Sequence, residues 1–381
     1  MNIKELLKKT SFVNKLRSRK WRKLARKELF SKREAAFLEQ NPEKRSAAIA
    51  SKLAMLSNNT ILTDLEKTYN KSPLQKRLDI DYEMLKEDML FWHFAYGFTF
   101  NEYACYQFID KSIEERKTFL SDRDITCLCY EVNDLRKMDI LNDKAEAYKH
   151  FSKYYRREAI SISKESDLDV FLEFIGKHKK FAKKLTNEAC GRSVELIDLT
   201  NKDCSPHELF YRLIEAGKTI LEELVIQSEL FSAFNPSSVN TLRCITFNTK
   251  NGIKTPFFFM KTGRLGSFVD NGGAGGVFVA VDGRTGVLST GTDEYGNRYS
   301  AHPDTGISFI GVQLPDWDEA VDMCIEMSSK LPEVRIIGWD LAHTENGWIT
   351  IEGNSMTEII GPQSTWLKGT RQEVQELCSL M

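Results

Sequence analysis

Three oxygen-bearing side chains near the end of the chain have the types and spacing of a cation site. Asp340 follows the run Ile337-Gly338-Trp339, and after a short hairpin the chain continues as Ile351-Glu352-Gly353-Asn354. If these segments form adjoining strands, Asp340, Glu352 and Asn354 come together. Mg²⁺ is a hard cation that takes oxygen ligands and commonly shares them with nucleotide phosphates. The sequence therefore predicts a magnesium clamp that serves ATP chemistry.

Two further positions supply cations for the phosphates. Lys144 opens a helical pattern, whereas Lys183 and Lys184 end a strand-like run before a turn. An ammonium beside a glycine-containing loop can neutralise phosphate charge while backbone N–H groups bind the oxygens. Each lysine taken alone is more often a surface residue. The choice within the pair stays open, because an apolar preceding neighbour favours Lys183 while the spacing to Gly191 favours Lys184.

The segment 221–227 predicts a strand that joins two lobes. Glu222 and Glu223 precede an apolar stretch, and Gln227 ends the segment. Such a strand can offer backbone groups to a base and a carboxylate to ribose hydroxyls, although paired glutamates are also common on exposed strands. Arg243 follows a polar turn at the start of the next strand, where its planar guanidinium suits a developing phosphoryl charge.

A glycine cluster and a histidine each allow two interpretations. The segment 270–276, Asp-Asn-Gly-Gly-Ala-Gly-Gly, is either a loop that brings backbone close to a ligand or a flexible hairpin. His302 precedes Pro303 and is as well suited to fixing a turn or contacting substrate as to moving protons. The six histidines lack metal-ligand spacing, and no Ser/His/Asp arrangement is evident. No covalent protein nucleophile is expected.

The order of these motifs resembles the ATP-grasp superfamily and, within it, the sugar-transfer-associated family. The twelve-residue step from Asp340 to Glu352 fits the superfamily pattern. The resemblance covers roughly residues 90–365, and one departure is that Lys184 replaces the usual proline after Lys183. The segments that resemble the narrower family are Asn235-Pro236-Ser237-Ser238-Val239-Asn240-Thr241-Leu242-Arg243, the Val269-Asp270-Asn271 glycine loop, His302-Pro303 and Gly338-Trp339-Asp340.

This resemblance implies an α+β ATP-grasp fold in which two α+β lobes grip ATP, preceded by a largely helical N-terminal region. It implies a reaction in which a substrate carboxylate attacks the γ-phosphate of ATP in the presence of Mg²⁺. The resulting acyl phosphate is then taken by an amine or a hydroxyl. The expected partners are a carboxylate substrate and a sugar-linked acceptor used in polysaccharide or cell-envelope sugar modification, with no nucleic acid.

The resemblance also implies a role for each motif residue. Those expected to bind the nucleotide are Lys144, Lys183, Lys184, Glu222, Glu223 and Gln227. Those expected to hold Mg²⁺ are Asp340, Glu352 and Asn354. Those expected to act on the transferred phosphoryl group or the carboxylate substrate are Arg243, Lys261, Arg264 and Asn271.

Two other functions remain open at the level of sequence. The same lobes would serve an ATP-dependent small-molecule kinase that stops at phosphoryl transfer. A nucleotide-binding scaffold in a sugar-transfer complex is the second alternative, although a purely structural protein has no need of the predicted metal ligands Asp340, Glu352 and Asn354.

Composition favours a folded protein of a reducing compartment. The 381 residues are 41% hydrophobic and 11% aromatic, which excludes a disordered or fibrous chain and allows two or three folded units. The eight cysteines lack zinc-site or redox spacing and are expected to be free thiols. No signal-peptide core or membrane span is recognised. A cytoplasmic protein is expected, with a peripheral position at the inner membrane face as a further option.

The peripheral membrane position is considered because of residues 1–35, which carry thirteen Lys and Arg against three Glu. The rest of the chain is therefore net acidic by about eleven charges, because the total formal charge is -1. The helical spacing of apolar residues predicts an amphipathic segment. It would either attach to anionic lipid or a polyanionic partner, or pack on the body with a solvated charged face. The second interpretation is slightly favoured.

Pattern changes along the chain divide it into three parts. We expect a basic helical region over 1–75, a helical or mixed region over 76–140, and an ATP-grasp domain over 141–370 with lobes at about 141–219 and 220–370. The aromatic run 91–98 predicts a buried helix end closed by Gly97, with His93 in the core. Helices are predicted at 143–155, 167–177 and 206–219, and strands at 193–199, 220–227, 241–248, 256–261, 277–282, 335–342 and 348–353.

Overall fold

The computed structural model describes residues 11–56, 60–186, 194–201, 205–268, 270 and 272–381. A helical region precedes two antiparallel sheets, which confirms the predicted α+β class and helical N-terminal region. The helices of this region are α1 Ser11–Ala25, α2 Lys32–Gln40, α3 Arg45–Leu56, α4 Thr60–Lys71, α5 Tyr82–Tyr96, α6 Phe100–Cys105, α7 Ile113–Lys117, α8 Asp122–Val132 and α9 Leu135–Asn142.

The aromatic end of α5 is the centre of the helical region. Phe91 and Trp92 are almost fully buried. Gly97 ends the helix with φ +80°, and its N–H donates to the carbonyl of His93, as the sequence predicts. The ring of His93 is buried and its Nδ1 lies 2.8 Å from the carbonyl oxygen of Phe98. Burial lowers the pKa of His93 to about 4, so this core histidine is neutral.

A single hydrophobic cluster extends through the helical region from Phe30 to Phe119. Side chains that precede residue 75, such as Leu65, share this cluster with side chains of α5. Helices α2 and α3 pack against α5, and α4 packs against α6. The expected division between 1–75 and 76–140 therefore does not coincide with a gap in the packing.

A four-stranded sheet follows, in the order β1-β4-β2-β3. One face of this first sheet packs against two helices through Phe171, Phe181, Phe210 and Leu221. The helix α10, Lys144–Tyr155, leads into the sheet. The strands are β1 Ala159–Ile162, β2 Lys180–Leu185, β3 Glu195–Asp198 and β4 Thr219–Glu223, and the two packed helices are α11 Leu168–Lys177 and α12 Pro206–Glu215.

A seven-stranded sheet forms the second lobe, in the order β11-β10-β5-β6-β7-β8-β9. One long helix covers one face, while two C-terminal helices and α8 contribute to the core on the other. The strands are β5 Thr241–Thr249, β6 Gly252–Thr262, β7 Val277–Val281, β8 Leu288–Thr292, β9 Arg298–Tyr299, β10 Ile336–Thr344 and β11 Gly347–Asn354. The helices are α13 Glu229–Phe234, α14 Trp317–Ser329, which is the long one, α15 Ile360–Trp366 and α16 Arg371–Ser379.

The structure corrects the boundary between the lobes. The predicted helix 206–219 ends at Glu215, and the predicted strand 220–227 ends at Glu223. The backbone of Thr219–Glu223 pairs with both β1 and β2, so β4 lies inside the first sheet. The first lobe therefore extends to residue 223, beyond the expected limit at 219.

Beyond residue 143, the sequence patterns do not predict β1, β8, β9, α13, α14, α15 and α16. Strand β9 has only two residues, and β8 contains one apolar side chain among Ser, Thr and Gly. Strand β1 is four residues long. Helix α14 begins after Asp316, which has φ +45° and makes no capping hydrogen bond through its side chain.

The basic helix α1 lies on the body of the protein. The ring of Trp21 stacks on Tyr130 with a centroid separation of 5.8 Å, and Arg22 forms an ion pair with Glu131 at 2.8 Å. Arg26 pairs with Asp124 at 3.1 Å. These contacts join α1 to the acidic surface of α8, in agreement with the favoured interpretation of a packed helix. Among the described helices, none has the length and apolar content needed to cross a membrane.

A tight loop at 293–297 fastens the helical region to the second sheet. The side chain of Asn297 donates to the carbonyl of Lys71 at 3.0 Å, and the thiol of Cys105 donates to the carbonyl of Asp293 at 3.3 Å. Gly296 has φ +85°, and a Cβ there would lie 2.7 Å from the carbonyl oxygen of Ala104. Only glycine fits this approach between two backbones.

We expect Gly296→Ala to destabilise the protein more than Gly306→Ala. Both glycines have positive φ, but a Cβ at Gly306 meets no atom within 4 Å. The conformational strain of the control substitution is about 1 kcal/mol. The backbone collision at Gly296 should add roughly 1–3 kcal/mol, measured by urea unfolding. Equal losses for the two variants would contradict the close contact with Ala104.

Candidate functional site

A cavity of about 410 Å³ lies between the two sheets, and we call it the inter-sheet cavity. The segment 224–226 forms part of its wall where the chain passes from one sheet to the other. Eight of the predicted site residues line it: Lys144, Lys184, Glu222, Glu223, Gln227, Lys261, Asp340 and Glu352. Four others, Lys183, Arg243, Arg264 and Asn354, do not line it, and Asn271 lies outside the described residues.

The predicted cation ligands come together across β10 and β11. Asp340 and Glu352 are opposite each other in the strand register. The side-chain amide of Asn354 lies 3.4 Å from a carboxylate oxygen of Asp340 and 3.3 Å from one of Glu352. Two carboxylates and an amide are a donor set that suits Mg²⁺, which keeps several waters and shares phosphate oxygens. The described residues contain no group of three or more His, Cys, Asp or Glu arranged for a metal, so phosphates and water would have to complete the coordination.

Asp340 is held by two buried cations. The guanidinium of Arg243, opposite Asp340 on β5, donates to it at 2.9 Å, and the ammonium of Lys261 donates at 3.0 Å. Burial opposes the ionisation of Asp340, but the charges of Arg243 and Lys261 outweigh burial and hold its pKa far below the ordinary value. Of these two cations, Lys261 faces the inter-sheet cavity and Arg243 lies behind the carboxylate.

The structure separates Lys183 from Lys184. Successive side chains on a strand point to opposite faces. Lys184 faces the inter-sheet cavity together with Ala182, and its ammonium is 3.0 Å from Glu222. Lys183 lies on the face that packs against α11 and α12, where it pairs with Glu195 at 3.2 Å. The geometry therefore favours Lys184 as the lysine that can meet a ligand between the sheets.

Glu222 is the centre of a buried ion network that joins the lobes. Arg157, between α10 and β1, donates to its carboxylate at 2.6 Å and to the carbonyl of Thr350 on β11 at 2.7 Å. Burial raises the pKa of Glu222, but Lys184 and Arg157 outweigh this and lower it to about 2. The carboxylate is thus already bound by two cations in this structure, which differs from the sequence-based expectation that it would be offered to ribose.

Gln227 organises a loop through every polar position of its side chain. Its NH₂ group donates to the carbonyls of Asn235 and Ser238 at 2.9 and 2.8 Å. Its oxygen accepts from the backbone and side-chain nitrogens of Asn240 at 3.0 and 3.1 Å. An amide has two donors and two lone pairs, so this side chain is saturated. The side chain of Gln227 therefore has no free group for the expected nucleotide contact. That contact would come from the backbone of Gln227, from Glu223, or from the apolar segment 224–226.

Arg264 and His302, which the sequence relates to substrate binding, form contacts within the protein. Arg264 is paired with Asp304, with Nε at 2.7 Å from the carboxylate. His302 accepts at Nδ1 from the backbone nitrogens of Asp304 and Thr305, and its Nε2 lies 2.9 Å from the carbonyl of Gly263. The buried ring therefore fixes a turn, which is one of the two roles that the sequence allows.

Comparison with known protein families identifies the fold. A family model described as sugar-transfer associated ATP-grasp matches residues 128–379, which is more than half of the chain. The chain belongs to the sugar-transfer associated ATP-grasp family. None of the curated proteins compared with the sequence matches it.

Solved structures with partial similarity include three proteins of low identity to this ATP-grasp chain. The ATP-grasp ligase PsnB complexed with a minimal precursor is 11% identical, with 66% of this chain and 64% of PsnB covered and a TM-score of 0.40. The D-alanine-D-alanine ligase from Coxiella burnetii is 6% identical, with 65% of this chain and 59% of the ligase covered and a TM-score of 0.39. The N5-carboxyaminoimidazole synthetase from Staphylococcus aureus complexed with ADP is 12% identical, with 65% of this chain and 54% of the synthetase covered and a TM-score of 0.40. The chain thus spans less than two thirds of the length of each.

Two residues of this ATP-grasp cavity were not singled out as site residues from sequence. Arg157 has no motif around it, and its partner Glu222 is 65 positions away. Asp270 lies beside the glycine cluster, lines the inter-sheet cavity and accepts from the hydroxyl of Thr241 at 2.5 Å. Burial raises the pKa of Asp270, although Lys261 at 3.9 Å opposes this. The available signal for Asp270 was its place two residues before the first glycine of the cluster.

Glu222→Gln should change how the stability of this ATP-grasp protein depends on pH. A folded pKa of about 2, below the ordinary value of 4.5, means that the ionised carboxylate stabilises the fold at neutral pH. This stabilisation, up to about 3 kcal/mol, is lost as the pH falls from about 5 to about 2. The variant should be less stable than wild type at pH 7, and the two should converge near the low end of this range.

Urea unfolding at a series of pH values measures this effect. The control is Glu215→Gln, an exposed glutamate at the end of α12. It should keep the wild-type dependence on pH. If Glu222→Gln also keeps it, the ion network around Glu222 does not have the strength inferred from its geometry.

Proposed function

We propose that this protein is an ATP- and Mg²⁺-dependent ligase that activates a substrate carboxylate as an acyl phosphate and joins it to an amine or a hydroxyl. The observation that carries the proposal is the inter-sheet cavity, where Lys184 of the first sheet shares one space with Asp340 and Glu352 of the second. Such a space suits a nucleotide with its phosphates between the cations and the acidic pair. Membership of the ATP-grasp family supports the same role.

Binding of ATP would exchange one ion pair for another. Lys184 is paired with Glu222 at 3.0 Å and would move its ammonium to the phosphates. Glu222 would stay ionised, because Arg157 still donates two hydrogen bonds to it. Lys144 also lines the cavity and would add a second positive charge. Positioning and charge stabilisation of this kind are the main protein contributions to phosphoryl transfer.

Asp340, Glu352 and Asn354 would hold Mg²⁺, which when bound neutralises phosphate charge and draws electron density from the γ-phosphorus. Lys261 faces the cavity beside Asp340 and is the cation best placed to contact the transferred phosphoryl group or the carboxylate. Arg243 would act by fixing the orientation of Asp340, since its guanidinium lies behind that carboxylate. The roles first assigned to Arg264 and Asn271 remain predictions.

The reaction has two steps. A carboxylate oxygen forms a bond to the γ-phosphorus while the bond to the bridging oxygen breaks, which gives an acyl phosphate and ADP. The amine or hydroxyl then attacks the acyl carbon, phosphate leaves with the bonding electron pair, and an amide or ester forms. The nucleophile loses a proton, and Asp270 in the cavity wall would accept it.

The family description supports a sugar-linked acceptor, as in polysaccharide or cell-envelope modification, and this part of the proposal rests on that description alone. An acidic amino acid, a uronic acid and a peptide are the carboxylate classes to be compared. A cytoplasmic location fits an enzyme that consumes ATP.

Lys184→Met should weaken ATP binding by about 10- to 100-fold, because it removes a charge-assisted contact to phosphate. The matched control is Lys183→Met, one residue away on the opposite face of β2, which should change affinity less than threefold. Calorimetric titration of ATP with Mg²⁺ measures both. A larger effect at Lys183, or no ATP binding to folded wild type, would contradict the proposed nucleotide site.

Hydroxylamine trapping tests the acyl phosphate. With Mg²⁺-ATP, we expect glutamate, glucuronate or a peptide mixture to give a hydroxamate and ADP, because hydroxylamine takes the activated acyl group. Asp340→Asn with Glu352→Gln should abolish this product, while the exposed control pair Asp322→Asn with Glu376→Gln should retain it. A phosphorylated product that resists hydroxylamine would instead identify the kinase alternative.

A further inference from the structure

The inference concerns helix α1, which lies apart from the inter-sheet cavity and is independent of the proposed reaction. The helix carries six Lys and Arg and no acidic residue. It packs against α8 along one side only, through Ser18, Trp21 and Arg22. The opposite side remains exposed, and its function is not explained by the packing.

A groove between α1 and α8 is lined largely by cations. Its walls contain Arg22, Lys23, Arg26 and Lys27, together with Cys127 and Glu131. Arg22 and Arg26 use part of their charge in ion pairs with α8. Lys23 and Lys27 are exposed in the same groove, so their ammonium groups can donate to an anionic oxygen. A phosphate ester matches this arrangement of positive charges and donors.

The exposed side of α1 combines these charges with apolar side chains. Leu16 and Leu24 are 46% and 47% exposed. At 100° per residue, Leu16 and Leu24 lie within the same exposed arc as Lys20 and Lys23. Exposed leucines among lysines are typical of helices that lie in the headgroup layer of a membrane. A soluble anion would interact with the charges but would leave the apolar side chains in water.

We propose that α1 docks this protein on an anionic lipid surface, with lipid phosphates at the groove formed with α8. The charge distribution favours one orientation, because the chain beyond residue 35 is net acidic by about eleven charges and is repelled by the same surface. The helix lies parallel to the membrane plane, with its leucines at the boundary of the acyl chains. The attraction is electrostatic over a Debye length and weakens with salt.

Sedimentation of the full chain with phosphatidylcholine vesicles, with and without phosphatidylserine, tests this docking. The chain should partition onto the anionic vesicles at low salt and remain in solution with the neutral ones. A triple variant, Lys20→Glu, Lys23→Glu and Lys27→Glu, should weaken partitioning by about 100-fold or more, because each cation near an anionic surface contributes about fivefold. All three lysines are exposed, so the fold should be kept.

The matched control is Lys76→Glu with Lys149→Glu and Lys250→Glu, three exposed lysines outside α1. This control changes the net charge equally and should keep most of the binding. Leu16→Ser with Leu24→Ser should reduce the partitioning that persists at physiological salt. Equal losses in both triple variants, or no effect of the leucine changes, would contradict docking through this face. Absence of binding to anionic vesicles would overturn the proposal and leave this surface to an acidic protein partner.

Discussion

A row of charged side chains, one cation beside two carboxylates, crosses three neighbouring strands and determines the form of the acidic site. Strand register places Arg243 of β5, Asp340 of β10 and Glu352 of β11 side by side. Because Arg243 and Asp340 are buried, each depends on the other for charge compensation. A shift of one of these strands by one residue would turn its member of the row to the other face of the sheet. The hydrogen bonds of the sheet and the electrostatics of the site therefore reinforce one another.

The first sheet also contains buried ion pairs. Lys184 and Arg157 share the carboxylate of Glu222, so each of these two positive charges has an anionic partner within the protein. A nucleotide that enters the cavity competes with carboxylates already in place, and its net affinity is smaller than a sum of its new contacts. These pairs also stabilise the fold, because a buried cation without an anionic partner is costly.

The sequence predicts most of this arrangement where chemistry and strand pattern coincide. The short hairpin between two strand-like runs predicts that Asp340 and Glu352 come close, but it does not predict the register shift beside Asp340 that brings Glu352, instead of Ile351, directly opposite it. The sequence does not predict the position of Arg157, because its contacts join segments distant along the chain and involve a backbone carbonyl. The saturation of Gln227 by a loop also depends on folded geometry. Local composition could not separate Lys183 from Lys184, whereas the pairing of β2 with β4 separates them at once.

The contacts at the two ends of α10 have a mechanical consequence. At its start, the nitrogen of Lys144 donates to the carbonyl of Thr186, and Asp143 pairs with Lys218 at 2.7 Å. Just beyond its end, the backbones of Glu158 and Glu223 are hydrogen bonded at 2.9 Å. The first sheet is thus attached along a line that follows this 12-residue helix. A movement of the first sheet relative to the start of α10 would therefore break the contacts of Lys144 and Asp143.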